Sequence, residues 1–460
     1  MRFNLRRQLG CPDSTQLITG TQQDRTGSQE LTDTALGSRR DCFRWGIGAA
    51  AAGISLYSSL GALQAESTQT IQPKSVAAII TVYYPNSHAD VILTKLLEGW
   101  KHDGGPGPAL KLSSVYIDQP EGSQFGLEIL DKHQIPRFDT IEQAITLGGN
   151  SVAVDGVLSI GEHGKYPINE LGQQLYPRKR FFQEITETFE KYHRVVPVFN
   201  DKHISTVWEE ALWMYQRSID LKVPLMSGSS LPVSYRTSAF DLPMGCDLES
   251  AVGIGYSGLD IYGFHALEVY QSMVEKRTNA EQGVRWVRCL EGPAVWEAVD
   301  NGWVDADVLN AVYEAIPKTF SSIREDDQAV LFQFEYTDGF RGSLLMLPSA
   351  QLTGVGVRLK GQSPVATAIE ERPEPRYPHF AFLLKAIEKM MHSGQPTYPV
   401  ERTLLTGGIL DRALHSKLEK GKKIVTPELA IAYRPVDYPH APMPDLLLAP
   451  QSVRGAPLKP

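Results

Sequence analysis

The chain has 460 residues, 42% of them hydrophobic, with 45 Lys and Arg against 53 Asp and Glu and a formal charge of −8. An acidic balance argues against a nucleic-acid partner, and the apolar fraction is that of a folded globular chain rather than a disordered one. Of the four cysteines, Cys246 and Cys289 stand 43 residues apart in the main body of the chain and make neither a zinc framework nor a disulfide scaffold.

Residues 1–37 are polar and lack an apolar period, so they are expected to be disordered. Then comes "SRRDCFRWGIGAAAAGISLYSSLGALQA", with Arg39 and Arg40 behind Ser38, Phe43, an Ala/Gly-rich run and Ala65. This is the pattern of a twin-arginine export signal cleaved after Ala65, too poor in Leu, Ile and Phe for a stable span. It implies a leader over 1–65, a periplasmic or otherwise exported protein, and the export machinery as a partner. Cys11 and Cys42 leave with the leader. Cys246 and Cys289 remain, either paired or as two separate buried thiols.

From Pro73 onward, apolar β-branched runs alternate with amphipathic stretches. "VAAIITV" is followed by the helical "SHADVILTKLLEGW"; "LKLSSVYID", "VDGVLSIG", "VVPVFN" and "VPLMS" are further strands, with helices between them. Strands apolar on both faces, each followed by a helix, predict a Rossmann-like doubly wound parallel sheet over 74–230. Beyond it the strands "LESAVGIGYSG", "VRWVRCLEG", "AVLFQFEYTDG", "FRGSLLML" and "LTGVGVRLK" follow one another, with a hairpin turn at "TDGF". They predict an α+β domain over 231–376 with a mostly antiparallel open sheet and helices on one face. Two amphipathic helices over 377–430 close the chain, the first ended by Gly394, before a tail over 431–460.

Three segments in this order resemble the Gfo/Idh/MocA oxidoreductases, the family of glucose-fructose oxidoreductase and inositol dehydrogenase. "VFNDKHISTVWEEALWMYQRSIDLKVPLMSGSS" is similar to its strand, Glu-Lys-Pro motif and helix, "GFHALE" to its Gly-x-His-x-x-Asp motif, and the last helices to its closing helices. The resemblance implies NAD or NADP on the first domain, a sugar or polyol against the second, and closing helices packed on the first. It places Lys202 and His265 as the catalytic pair, with Glu268 where the motif has Asp and Asp260 one place off the family's acidic position, which falls on Ile261. It places Asn86, Ser87 and His88 in the phosphate loop, Asp118 at the adenosine ribose, and Glu162 and His163 beside the nicotinamide; Tyr166 and Tyr262, beside these motif segments, are candidates to stack on a sugar ring, and His203, standing where the motif has Pro, is a further substrate candidate. A homo-oligomer is compatible with it.

The chain departs from the family between Thr81 and His88. Where the family has Gly-x-Gly-x-x-Gly there stands Val82, Tyr83, Tyr84, Pro85, Asn86 and Ser87. Glycines let the backbone approach a pyrophosphate, and Pro85 removes a donor. Two readings follow: a sugar oxidoreductase with an altered cofactor loop, or a descendant without dinucleotide redox chemistry that binds carbohydrate or acts as a lyase or isomerase. A structural cell-envelope protein is the third. Carboxylates and imidazoles at "GEHG" and "NDKH" have no close metal-ligand spacing, so no metal is expected.

Overall fold

The computed structural model describes residues 72–442. The twin-arginine segment around Arg39 and Arg40, and its cleavage point at Ala65, lie outside the described residues.

The first sheet is all parallel, in the order β2-β1-β3-β4-β5: β1 Lys74–Ile80, β2 Leu110–Ile117, β3 Gly156–Ile160, β4 Val198–Asp201 and β5 Leu225–Gly228. Successive side chains of a strand point to opposite faces, so Val76, Ala78 and Ile80 of β1 enter one core while Ala77 and Ile79 enter another. The first core is shared with α1 (His88–Glu98), the second with α3 (Ile141–Thr146), α4 (Arg178–Lys191) and α5 (Trp208–Asp220). Between these elements α2 (Gln124–Lys132) follows β2. Each fully buried Val, Leu or Ile contributes about 1.5–3 kcal/mol, which is why such two-faced apolar runs become central strands.

The second sheet has the order β11-β10-β6-β9-β8-β7-β12, from β6 Leu248–Gly255, β7 Val284–Glu291, β8 Val330–Tyr336, β9 Arg341–Met346, β10 Gly354–Leu359, β11 Val365–Ala368 and β12 Ile424–Val425. Its pairs are antiparallel except β6 with β9. The predicted hairpin joins β8 to β9: Gly339 takes φ 90° and the Tyr336 N–H meets the Phe340 carbonyl at 2.9 Å.

Helices cover both faces of this sheet rather than one. On one side, Phe264 and Tyr270 of α6 (Ile261–Val274) and Leu405 and Ile409 of α10 (Glu401–Leu418) join the core of Phe332 and Phe334. On the other, Val295 of α7 (Pro293–Asp300) and Val308 and Val312 of α8 (Ala306–Ala315) pack on Val252, Ile254, Leu331 and Leu345. Strands such as β8, buried at nearly every position, need a cover on each side. α9 (Pro378–Ser393) lays Leu383, Ile387 and Met390 on the β1 core and ends at Gly394 with φ 70°. Cys246 and Cys289 are separate buried thiols.

Candidate functional site

All five parallel strands end at the same edge, so the loops after them converge there. Together with the end of β6, the start of α6 and the segment after β11 they enclose a cavity of about 780 Å³, within the usual size range of small-ligand sites. Lys202, Glu162, His163, His88, His265 and Glu371 all line it.

Lys202 follows β4 in the left-handed region, φ 64°, a conformation that a non-glycine residue holds only when its surroundings impose it. The Ser227 hydroxyl, donating to the Lys202 carbonyl at 2.8 Å, is one such constraint. Its ammonium meets Glu162 Oε1 at 3.0 Å, with both side chains at most 3% exposed. Arg178 pairs with the other Glu162 oxygen. Burial raises the Glu162 pKa, but Lys202 and Arg178 outweigh it and hold the carboxyl well below the usual range.

His265, on the first turn of α6, has Nδ1 at 2.6 Å from Ser229 Oγ after β5. Burial, with the charges of Lys202 and His88 added, pushes its pKa well down, so the ring is neutral. In the tautomer that donates Nδ1–H to Ser229 the Nε2 lone pair is open to a ligand; in the other, Ser229 donates and Nε2 carries the hydrogen. His88 Nδ1 lies 2.5 Å from Asp201 Oδ2, and its ring meets His163 edge-on at 5.1 Å. His163 is itself pushed down to about 3 by burial, with His88 adding to it.

Glu371 comes from the segment after β11. Its Oε2 accepts the Tyr256 hydroxyl at 2.8 Å, and burial raises its pKa to about 7. No sequence signal pointed to it, because "IEERPEPR" has the appearance of a solvated charge run.

No family model and no curated protein matches the sequence. Among solved structures, GenD2 from gentamicin A biosynthesis, in complex with NAD, matches at 12% identity and TM-score 0.51, over 77% of this chain and 97% of its own. The chain has the Gfo/Idh/MocA fold. A myo-inositol dehydrogenase from Corynebacterium glutamicum matches at 11% identity over 77% and 98% of the two chains, TM-score 0.49. A scyllo-inositol dehydrogenase from Lactobacillus casei matches at 9% over 77% and 99%, TM-score 0.48.

In the Gfo/Idh/MocA fold a dinucleotide would place its pyrophosphate against the loop after β1 and the start of α1. Here the backbone donors from Tyr83 to Ser87 are already used. The Tyr83 N–H donates to Ser123 Oγ (2.9 Å), Tyr84 to Ser87 Oγ (3.2 Å), Asn86 to the Asp90 carboxylate (2.8 Å) and Ser87 to the Tyr84 carbonyl (3.0 Å), while Pro85 has none. Asp90 thus sets a carboxylate of the chain itself where a phosphate would seek the positive end of α1. The Tyr83 ring is buried under the loop, passing its hydroxyl proton toward Thr94 and from there to Asp90 (2.6 Å each). Gly126 of α2 makes room for it: a Cβ there would stand 2.2 Å from Tyr83 Cγ.

At the ribose position the carboxylate also has partners within the chain. Asp118 accepts the hydroxyls of Tyr166 (2.7 Å) and Tyr116 (2.9 Å) and pairs with Arg180. The Gln119 side chain exchanges two hydrogen bonds with the Lys165 backbone (2.9 and 3.0 Å), tying the loop after β3 to the end of β2. The backbone donors from Tyr83 to Ser87 and the Asp118 carboxylate, which the adenosine and pyrophosphate half of a dinucleotide would call on, are thus engaged within the chain.

Of the residues singled out from the sequence, Lys202, His265, His88, Glu162, His163 and Tyr262 line the cavity. The others stand behind or beside it. Asn86 and Ser87 cap α1, and Asp118 and Tyr166 bond each other. Glu268 lies buried one helical turn behind His265, accepting Thr406 Oγ1 at 2.6 Å and the Ser229 N–H at 3.3 Å. Asp260 accepts the Gln173 amide at 3.1 Å and faces His203 at 3.9 Å. His203 stacks on Phe264, centroids 4.0 Å apart. Among the described residues no group of His, Cys, Asp and Glu is arranged to hold a metal ion.

Proposed function

We propose that this protein is a carbohydrate-active enzyme on the Gfo/Idh/MocA fold that moves protons within a sugar or polyol derivative carrying a carbonyl, without a dinucleotide. The observation that carries this reading is the pairing of two facts about one cleft. Its reactive end keeps the Lys202 ammonium and a neutral His265 on the cavity wall, while at its phosphate end every backbone N–H from Tyr83 to Ser87 already has an acceptor within the chain.

A neutral imidazole can take the proton from a carbon next to a carbonyl, and a fixed ammonium stabilises the oxygen as it gains negative charge. Glu162 holds that ammonium in place. Tyr84, Tyr176, Tyr256, Tyr262 and Tyr377 line the cavity and offer ring faces to the apolar side of a sugar. The twin-arginine pattern at Arg39 and Arg40 supports export to the periplasm as part of the same proposal.

The second reading, an NAD(P)-dependent sugar oxidoreductase, is favoured by the fold shared with NAD-bound GenD2. Incubating the purified protein with D-fructose and D-glucose in D₂O separates the two. Deuterium appearing on carbon without any added dinucleotide supports proton transfer. Turnover only when NAD or NADP is supplied supports the oxidoreductase.

A further inference from the structure

The cavity has a second titratable wall that the Lys202 and His265 pair does not use. Two adjacent glutamates after β11 meet different surroundings. Glu370 accepts the Arg372 guanidinium at 3.1 and 3.2 Å, an ordinary ion pair. Among the described residues Glu371 meets no cation: the groups around it are the Tyr256 hydroxyl after β6 (2.8 Å), the Thr353 N–H (3.4 Å) and side chain before β10, Tyr262 on α6 and the Glu370 carboxylate beside it. The segment is pinned on both sides, the Ile369 N–H to the Thr353 carbonyl at 2.8 Å and the Glu370 N–H to the Tyr235 carbonyl at 2.9 Å. Glu371 is therefore held at the cavity wall by fixed backbone.

Resting on the carbohydrate reading above, we propose that Glu371 is a second proton-transfer group of this cavity and that the substrate class is a hydroxy aldehyde or hydroxy ketone undergoing isomerisation or epimerisation. His265 removes the proton from the carbon beside the carbonyl. The C–H electron pair becomes the C=C bond of an enediolate, and the former carbonyl pair rests on oxygen beside Lys202. The Glu371 carboxyl then gives its proton to an enediolate carbon and is left as carboxylate: at the carbon first deprotonated, the oxygen pair re-forms the original carbonyl (epimerisation); at the neighbouring carbon, the hydroxyl proton of the second oxygen passes to the first and the second oxygen becomes the carbonyl (isomerisation). His265 holds the proton first removed, and both groups reset by exchange with solvent, so no atom or electron is gained or lost. Burial without a cation raises the Glu371 pKa to about 7, which leaves both of its protonation states populated near neutrality.

The test uses the full mature chain. Carbon-13 NMR on protein labelled at the glutamate carboxyls identifies the Glu371 resonance by its loss in Glu371→Gln. Its midpoint is expected near 7, and in Tyr256→Phe it should move higher, since the Tyr256 hydrogen bond favours the carboxylate. A midpoint in the ordinary range of about 4–5 overturns the proposal. In D₂O with D-fructose as probe, Glu371→Gln should keep deuterium exchange on carbon through His265 while net conversion falls about a hundredfold or more. Conversion within about threefold of wild type also overturns it. Absence of exchange in every protein, wild type included, overturns the carbohydrate reading and this proposal with it, whereas exchange in wild type with conversion unchanged in Glu371→Gln overturns the proposal alone.

Discussion

Replacing Glu162 by Gln tests how the reactive end of the cleft is held together. The substitution keeps shape and leaves the Lys202 ammonium and the Arg178 guanidinium buried side by side without their shared counter-charge. At 3.0 Å and an effective dielectric of about 20, the Lys202–Glu162 attraction alone is about 5 kcal/mol. Loss of one partner of a buried pair typically costs about 3–5 kcal/mol. Urea denaturation should therefore show a loss of roughly 3–5 kcal/mol, or about 4–6 °C in melting temperature for a chain of this size. Glu162→Gln combined with Lys202→Met should recover part of that loss, since one stranded charge goes with the lysine. The sign with pH follows from the depressed carboxyl: its stabilisation is fully present above the unfolded value of about 4.3 and disappears as pH falls through the lower folded value. The gap between wild type and Glu162→Gln should thus be level from pH 7 to about 5 and narrow in more acid solution. A loss below about 1 kcal/mol, or a double variant no more stable than the single one, would refute the reasoning.

Three further substitutions separate reactive from structural roles. His265→Ala removes one hydrogen bond from a partly exposed side chain, so stability should fall by only about 1 kcal/mol while deuterium exchange on carbon is abolished; a large drop in unfolding free energy would mark His265 as core instead. Gly126→Ala places a Cβ 2.2 Å from Tyr83 Cγ and should cost about 1–3 kcal/mol or more in urea, with Tyr83→Ala combined with it restoring the fit at that point. Tyr166→Phe deletes the 2.7 Å bond that helps tie the loop after β3 to Asp118, and should speed amide hydrogen exchange over Gly164–Gln174 while global unfolding changes by about 1 kcal/mol.

Elements with a strong period were legible in the sequence, and those without one were not. "VAAII" is apolar at every position because both of its faces are covered, and the hairpin at Asp338 and Gly339 announced itself by its turn residues. β12, two residues long, and β11, four residues long with Val365 exposed, carry no pattern that distinguishes them from loop. The helices on the second face of the β6–β10 sheet were visible as helices, but which side they cover is set by tertiary packing.

The site shows the same division. Lys202 and His265 were found through motif order, and both reach the cavity. Glu371 was missed because nothing local distinguishes it from Glu370, and only the Arg372 pairing of one and not the other separates them. Arg178, the second cation on Glu162, opens α4 sixteen residues after its partner, a separation that no local spacing rule connects. The missing glycines were plain in the sequence, whereas the use of every donor from Tyr83 to Ser87 by the chain's own acceptors required the geometry of Ser123 and Asp90.

The most direct test of the central claim is calorimetric titration of the folded mature protein with NADH, repeated with NADPH. With the amides from Tyr83 to Ser87 spoken for and the Asp118 carboxylate already bonded, no saturable binding should occur up to about 1 mM, an affinity weaker than about −4 kcal/mol. Stoichiometric binding with a micromolar dissociation constant would contradict the account and return the cleft to dinucleotide chemistry.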